Sequence, residues 1–139
     1  MKPKFLLVCL AVFLFPKSGS GQSTLQSRTY RFEDLTSQKE ANATFRPILD
    51  GLSHSGVHLH VHEVFLLPGS SPHHAHHHQQ EEMFLISEGQ VEVTIGDKTT
   101  KLGPGSAAFV APGDQHQIQN VGTSPAEYFE IILDPPAPH

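Results

Sequence analysis

The chain has 139 residues, enough for one domain of ordinary size and too few for two. Hydrophobic residues make up 37% and Trp is absent, while His, Gly and Pro each number 11, so short apolar runs between turn formers point to an all-β protein. A formal net charge of −5 without a basic run excludes a nucleic-acid partner, and the single cysteine, Cys9, excludes an internal disulfide.

The chain opens like a secretory signal peptide. Lys2 and Lys4 precede an apolar run from Phe5 to Phe15, and the small residues Ser18, Gly19, Ser20 and Gly21 follow. Residues 1–21 are therefore expected to be cleaved after Ser20 or Gly21, giving a secreted or periplasmic protein with no membrane attachment after cleavage. The run is short for a membrane anchor, since a spanning helix needs about 20 apolar residues. Cys9 lies inside the run rather than after it, which speaks against a lipid-modified cysteine. Cleavage removes Lys2, Lys4 and Lys17, leaving six basic residues against fourteen acidic ones and a charge of −8.

Residues 22–43 read as a polar linker or arm, with a short strand expected at Thr29 to Phe32. Residues 44–134 carry dense strand signals. Phe45 to Leu49 comes first, then Val57 to Leu67, where Val57, Leu59 and Val61 alternate with His58, His60 and His62. Pro68 to Pro72 form a turn. Met83 to Ile86 follows the histidine-rich stretch and turns at Glu88 and Gly89. Val91, Val93 and Ile95 alternate with Glu92 and Thr94, and Gly96 with Asp97 suits a two-residue hairpin. Thr99 to Leu102, Ser106 to Val110, Gln115 to Asn120 and Ala126 to Leu133 complete the set, and a Pro-rich tail occupies residues 135–139. No helix-period segment or internal repeat is present. This many short strands with regular turns implies a sandwich or a single jelly-roll β-barrel.

The chemistry is concentrated between Pro72 and Gly89. Residues two apart on an extended chain face the same way, about 6.5 Å apart. His76 and His78 can therefore aim at one ion held about 2.1 Å from each imidazole nitrogen. Glu82 can reach that ion as the chain turns, and His116 can approach after the turn at Pro112 and Gly113. Three neutral imidazoles and one carboxylate leave a divalent ion with charge +1, and six-coordination leaves two positions open, as in a reactive rather than a structural site. His74 and His76 have the same internal spacing, but five residues would then separate that pair from Glu82. A low-complexity histidine tract that scavenges metal is the bland reading, though it explains neither Glu82 nor His116.

These residues match two motifs of the cupin superfamily, which the chain resembles. The first is His-x-His, three or four residues, Glu, six residues, Gly, here His76, His78, Glu82 and Gly89. The second is Gly, five residues, Pro-x-Gly, two residues, His, three residues, Asn, here Gly105, Gly113, His116 and Asn120, with Ala111 replacing the motif proline. The resemblance is closest to the small one-domain cupins. It implies one divalent metal ion, Fe or Mn first and Zn, Ni or Cu as alternatives. It also implies dioxygenase, isomerase or decarboxylase chemistry on a small oxygen-rich or aromatic substrate, with Glu82 able to act as base. A non-catalytic module that binds or senses a small ligand or metal is the competing function. A homodimer is expected, with Val57 to Leu67 as the candidate contact.

Several roles stay open. His58, His60 and His62 are either a partly exposed edge, with Val57, Leu59 and Val61 taking the apolar face, or cavity residues, with His60 and His62 available for proton transfer. His73, His74 and His77 are expected at the rim. Arg28, Arg31 and Arg46 are candidates for an anionic substrate, and Asn120 is expected to orient the turn and strand after His116.

Overall fold

The structure is a computed structural model and describes residues 24–136. The expected signal segment therefore lies outside the described residues, as does most of the tail. Nine strands follow in chain order: β1 (Gln38–Lys39), β2 (Ala43–Leu52), β3 (His58–Leu66), β4 (Glu81–Glu88), β5 (Val91–Ile95), β6 (Lys98–Leu102), β7 (Ala107–Val110), β8 (His116–Asn120) and β9 (Ala126–Asp134). They form a six-stranded antiparallel sheet, ordered β1-β2-β3-β9-β4-β7, and a three-stranded sheet, β6-β5-β8. This is the expected all-β jelly roll. No helix among the described residues is long and apolar enough to cross a membrane.

Alternation decides which side chains meet between the sheets. The larger sheet contributes Ala43, Phe45, Val64, Leu66, Phe84, Ile86, Val110, Ala126 and Tyr128, and the smaller one Val91, Val93 and Ile118. Each large apolar side chain buried here contributes about 1.5–3 kcal/mol relative to exposure. The hairpin at Gly96 has the expected two-residue loop, closing Ile95 onto Lys98, and Gly96 has φ +57°. Gly89 has φ +78°, and a Cβ there would lie 2.6 Å from the Pro125 carbonyl oxygen. That contact explains the glycine at the end of the first motif.

One expectation is corrected and one open reading is resolved. Thr29 to Phe32 is not a strand; a 3-10 turn covers Phe32–Asp34. Its hydrogen bonds stay local, from Asp34 N–H to Arg31 O and from Leu35 N–H to Phe32 O, so no ladder partner draws the segment out. The face of β3, which the sequence left open, is decided. His58, His60 and His62 share the side that continues into Val64 and Leu66, both 0% exposed, while Leu59 and Val61 turn outward. Local alternation gave two equivalent faces, and the buried half of the strand selected between them. β3 also lies between β2 and β9. It is therefore not an edge, and only its outer face remains for contact with another chain.

Candidate metal centre

The chain from Leu67 to Gln80 is a loop between β3 and β4, yet it is held extended against β8. Gly69 N–H and Asn120 O are joined at 2.9 Å, and His76 and His116 exchange two backbone bonds of 3.1 and 2.8 Å. Extension restores the two-residue period, so His76 and His78 face inward together, as the spacing predicts. Gly113 N–H donates to His78 O at 2.8 Å, tying the turn before β8 to the same loop. Asn120 fastens the far end. It is fully buried, donates to Leu66 O and Ser124 O at 3.0 and 2.9 Å, and accepts from Gly122 N–H at 2.9 Å.

The ring nitrogens of His76, His78 and His116 lie within 4.8 Å of one another. Each ring is oriented the same way. Nδ1–H of His76 donates to His74 O at 2.9 Å, that of His78 to Gln80 O at 3.0 Å, and that of His116 to Asp114 O at 3.0 Å. Three backbone carbonyls thus turn three Nε2 atoms toward a common point, which is how histidine ligands are fixed in their metal-binding tautomer. Glu82, 2% exposed at the start of β4, brings Oε2 to 2.8 Å from His116 Nε2 and 3.2 Å from His78 Nε2.

The fit to a metal ion rests on one atom above all. His116 Nε2 and Tyr128 Oη are the two buried side-chain polar atoms among the described residues without a hydrogen-bond partner. Glu82 is near enough to attract His116 electrostatically. A buried lone pair aimed at two other imidazoles and a carboxylate suits a divalent ion.

The charge state agrees with this arrangement. Burial holds His76 and His78 below the ordinary imidazole value, so both are neutral near pH 7, as metal ligation requires. Burial opposes a proton on His116, but Glu82 outweighs it and holds the ring above its ordinary value. Behind Glu82 stands a residue the sequence reading missed. Glu130, on β9 opposite His62, is 9% exposed. Burial first, then the neighbouring Glu82 carboxylate, push it up to about 7, against the opposing pull of His62. Of the two neighbouring carboxyls Glu130 is therefore the one that takes up a proton near neutrality, while Glu82, whose own pKa is lowered although burial alone would raise it, stays ionised. His62 hydrogen-bonds Glu130, which holds the imidazole above its ordinary value despite burial. The signal for Glu130 was present: it is an acid in mid-strand between Tyr128 and Ile132, which share its face of β9.

A cavity of about 520 Å³ opens beside these groups, lined by His60, His62, His76, His78, Glu82 and Glu130 together with apolar walls that include Phe45 and Ile132. Its size is that of a small-molecule site. His60 and His62 are thus cavity residues, and the edge reading of β3 is set aside. His74 and His77 are exposed, as expected. His73 also lines the cavity, where it stacks on Phe45 with ring centroids 6.0 Å apart and meets His76 edge-on at 5.6 Å. None of the three arginines lines it. Arg28 lies over Tyr30, Arg31 pairs with Glu33, and Arg46 pairs with Glu63 and covers Phe32. Each guanidinium is engaged outside the cavity, which removes all three as substrate anchors.

Solved structures of similar fold include an RmlC-like cupin from Shewanella frigidimarina, with TM-score 0.64 and 18% identity over 81% of this chain and 94% of that one. A predicted oxalate decarboxylase from Thermotoga maritima has TM-score 0.64 and 22% identity over 76% and 98%. The polyketide cyclase RemF from Streptomyces resistomycificus has TM-score 0.64 and 20% identity over 82% and 83%. At such identities the likeness concerns the fold. No curated protein sequence matches the chain. The Cupin domain family matches residues 55–132, more than half of the chain and the whole span from β3 into β9, so this protein belongs to the Cupin domain family.

Proposed function

We propose that the chain is an exported metalloenzyme that binds one divalent ion on His76, His78, Glu82 and His116 and acts on a small oxygen-rich or aromatic compound. The observation that carries this reading is the shared orientation of the three imidazoles, whose Nε2 atoms meet beside an open cavity rather than inside a closed cage. Fe or Mn suits this donor set, with Zn, Ni or Cu as alternatives. When bound, the ion supplies Lewis acidity to substrate oxygens, and Fe or Mn adds redox chemistry. The protein's own groups move protons: Glu82 is the proposed base, Glu130 on the cavity wall beside it exchanges a proton near neutrality, and His62 hydrogen-bonds Glu130. His60 lines the wall beyond His62. Phe45 and the stacked His73 supply flat surfaces for a planar substrate.

Elemental analysis of the untagged chain tests the centre: near one ion per chain is expected, lost in Glu82→Ala and His116→Ala. Retention in both variants would remove the assignment. Catechols, flavonoids, keto-acids and sugar derivatives should then be screened with and without O₂. Oxygen consumption separates dioxygenase from isomerase chemistry, whereas binding without turnover across the panel favours the non-catalytic ligand-binding reading. The relatives' differing descriptions, a decarboxylase and a cyclase among them, are why fold alone does not choose.

Export by residues 1–21, with the barrel in residues 44–134, is part of the same proposal. Mass spectrometry of protein from the native host should find an N-terminus near Gly21 or Gln22, and an intact Met1 in the soluble fraction would contradict it. The proposed homodimer is best supported on the outer face of the larger sheet. Val61, Ile131, Met83 and Phe109 form one cross-strand row there, and Phe109 is 50% exposed. Light scattering should show a dimer at micromolar concentration that Phe109→Asp dissociates.

A further inference from the structure

The proposed centre leaves part of the inward histidine row unexplained. His58, His60 and His62 continue the face of Val64 and Leu66, and imidazoles placed toward a barrel interior are costly unless each finds a polar partner. His62 has Glu130. His58 and His60 share one carboxylate: Asp50 Oδ1 lies 2.9 Å from His58 Nε2 and 3.1 Å from His60 Nδ1. The two rings stand 4.3 Å apart between centroids, and the three donor atoms lie within 4.8 Å of one another.

A backbone irregularity brings these groups together. From Ala43 opposite Leu66 to Pro47 opposite His62 the register of β2 on β3 is constant. One extra residue, Ile48, then enters β2, and pairing resumes with Leu49 opposite Val61 and Asp50 opposite His60. Without that bulge Leu49 would face His60, and Asp50 would pair with Leu59 on the outer side. The bulge thus exchanges an apolar contact for a carboxylate aimed at two imidazoles. Bulges that re-aim one side chain recur beside functional sites.

We propose that Asp50, His58 and His60 form a second binding site for a divalent transition-metal ion of the zinc class, separate from the centre at His116. Two imidazole nitrogens and one carboxylate oxygen suit Zn²⁺, Ni²⁺ or Cu²⁺. The three residues stand on directly paired strands, so the site needs no loop movement to form. Their side chains are 28%, 30% and 40% exposed for His58, His60 and Asp50, which lets water complete the coordination. The site is accordingly weaker and faster to exchange than the buried centre. Asp50 and His60 line the same cavity as His76 and Glu82, so the second ion adds positive charge to one wall of the substrate space.

The test is calorimetric titration of the metal-free chain with Zn²⁺, in a background where His74→Ser and His77→Ser silence the exposed loop. Two ions per chain are expected. His116→Ala should retain one at micromolar Kd, and adding Asp50→Asn to it should weaken that ion at least tenfold. Long-range ¹H–¹⁵N spectra should show His58 Nε2 and His60 Nδ1 shifting with the second equivalent. One ion per chain, lost in His116→Ala and unchanged in Asp50→Asn, overturns this inference and leaves the proposed centre standing. Zinc lost in Asp50→Asn but kept in His116→Ala overturns that centre alone and supports this one. A second equivalent that leaves both His58 and His60 nitrogens unshifted also overturns the proposal.

Discussion

His116→Ala is the sharpest perturbation of the proposed centre, because the ring is 1% exposed and its Nε2 has no hydrogen-bond partner. A divalent ion present at about 100 times its Kd stabilises the folded chain by about 2.7 kcal/mol. For a domain with roughly a hundred ordered residues, each kcal/mol moves Tm by roughly 4–8 °C, so Mn²⁺ should raise the wild-type Tm by roughly 10–20 °C. Losing one of four ligands, if it weakens binding about 100-fold, leaves only about 0.4 kcal/mol of linkage and a shift of roughly 2–3 °C. Removing the buried ring also costs about 2–4 kcal/mol in packing, so the metal-free variant must be its own reference. Circular-dichroism melts with chelator and with fixed free Mn²⁺ supply both numbers. The exposed His74 and His77 can bind metal in the unfolded chain and reduce the shift. Replacing them by serine should therefore leave the wild-type shift intact or enlarge it. An equal metal-induced shift in wild type and His116→Ala would refute the assignment of His116 as a ligand.

Metal affinity should rise with pH, because every ligand must be free of its proton. His116, held above the ordinary imidazole value, is the ring most ready to release a proton on binding, whereas His76 and His78, held below it, compete for protons only at more acid pH. Titration calorimetry in buffers of different ionisation enthalpy should find protons displaced near pH 7 and more of them toward pH 5.5; no proton release at either pH would contradict this. Gly89→Ala combines φ +78° with a Cβ 2.6 Å from Pro125 O and should cost about 2–4 kcal/mol in urea unfolding. A change below about 0.5 kcal/mol would show that the turn relaxes freely. Asn120→Ala strands two carbonyls and one N–H in the interior and should cost about 3 kcal/mol by the same measurement; a loss under about 1 kcal/mol would mean the strand ends are held by other contacts.

Much of the site was legible before the fold. The spacing of His76, His78 and Glu82 encodes a local geometry, since an extended chain repeats every two residues whether or not it belongs to a sheet. That is why the inward aim of His76 and His78 holds although the segment is a loop pinned to β8. Turn positions were legible for a similar reason: Gly89 and Gly96 adopt positive φ, which glycine tolerates best. Charge and cysteine content also act without reference to tertiary structure.

The tertiary structure decided what depends on a partner strand. Alternation in His58 to Val61 defines two faces but not which one is buried, and only the flanking β2 and β9, with Val64 and Leu66 at 0% exposure, turn the histidines inward. Glu130 meets His62 across 68 residues of sequence. Asp50 meets His58 and His60 only because one extra residue enters β2. Cross-strand neighbours are set by register, which the whole buried sheet determines, so a local pattern carries the ligands of a short loop but not the carboxylates that stand behind them.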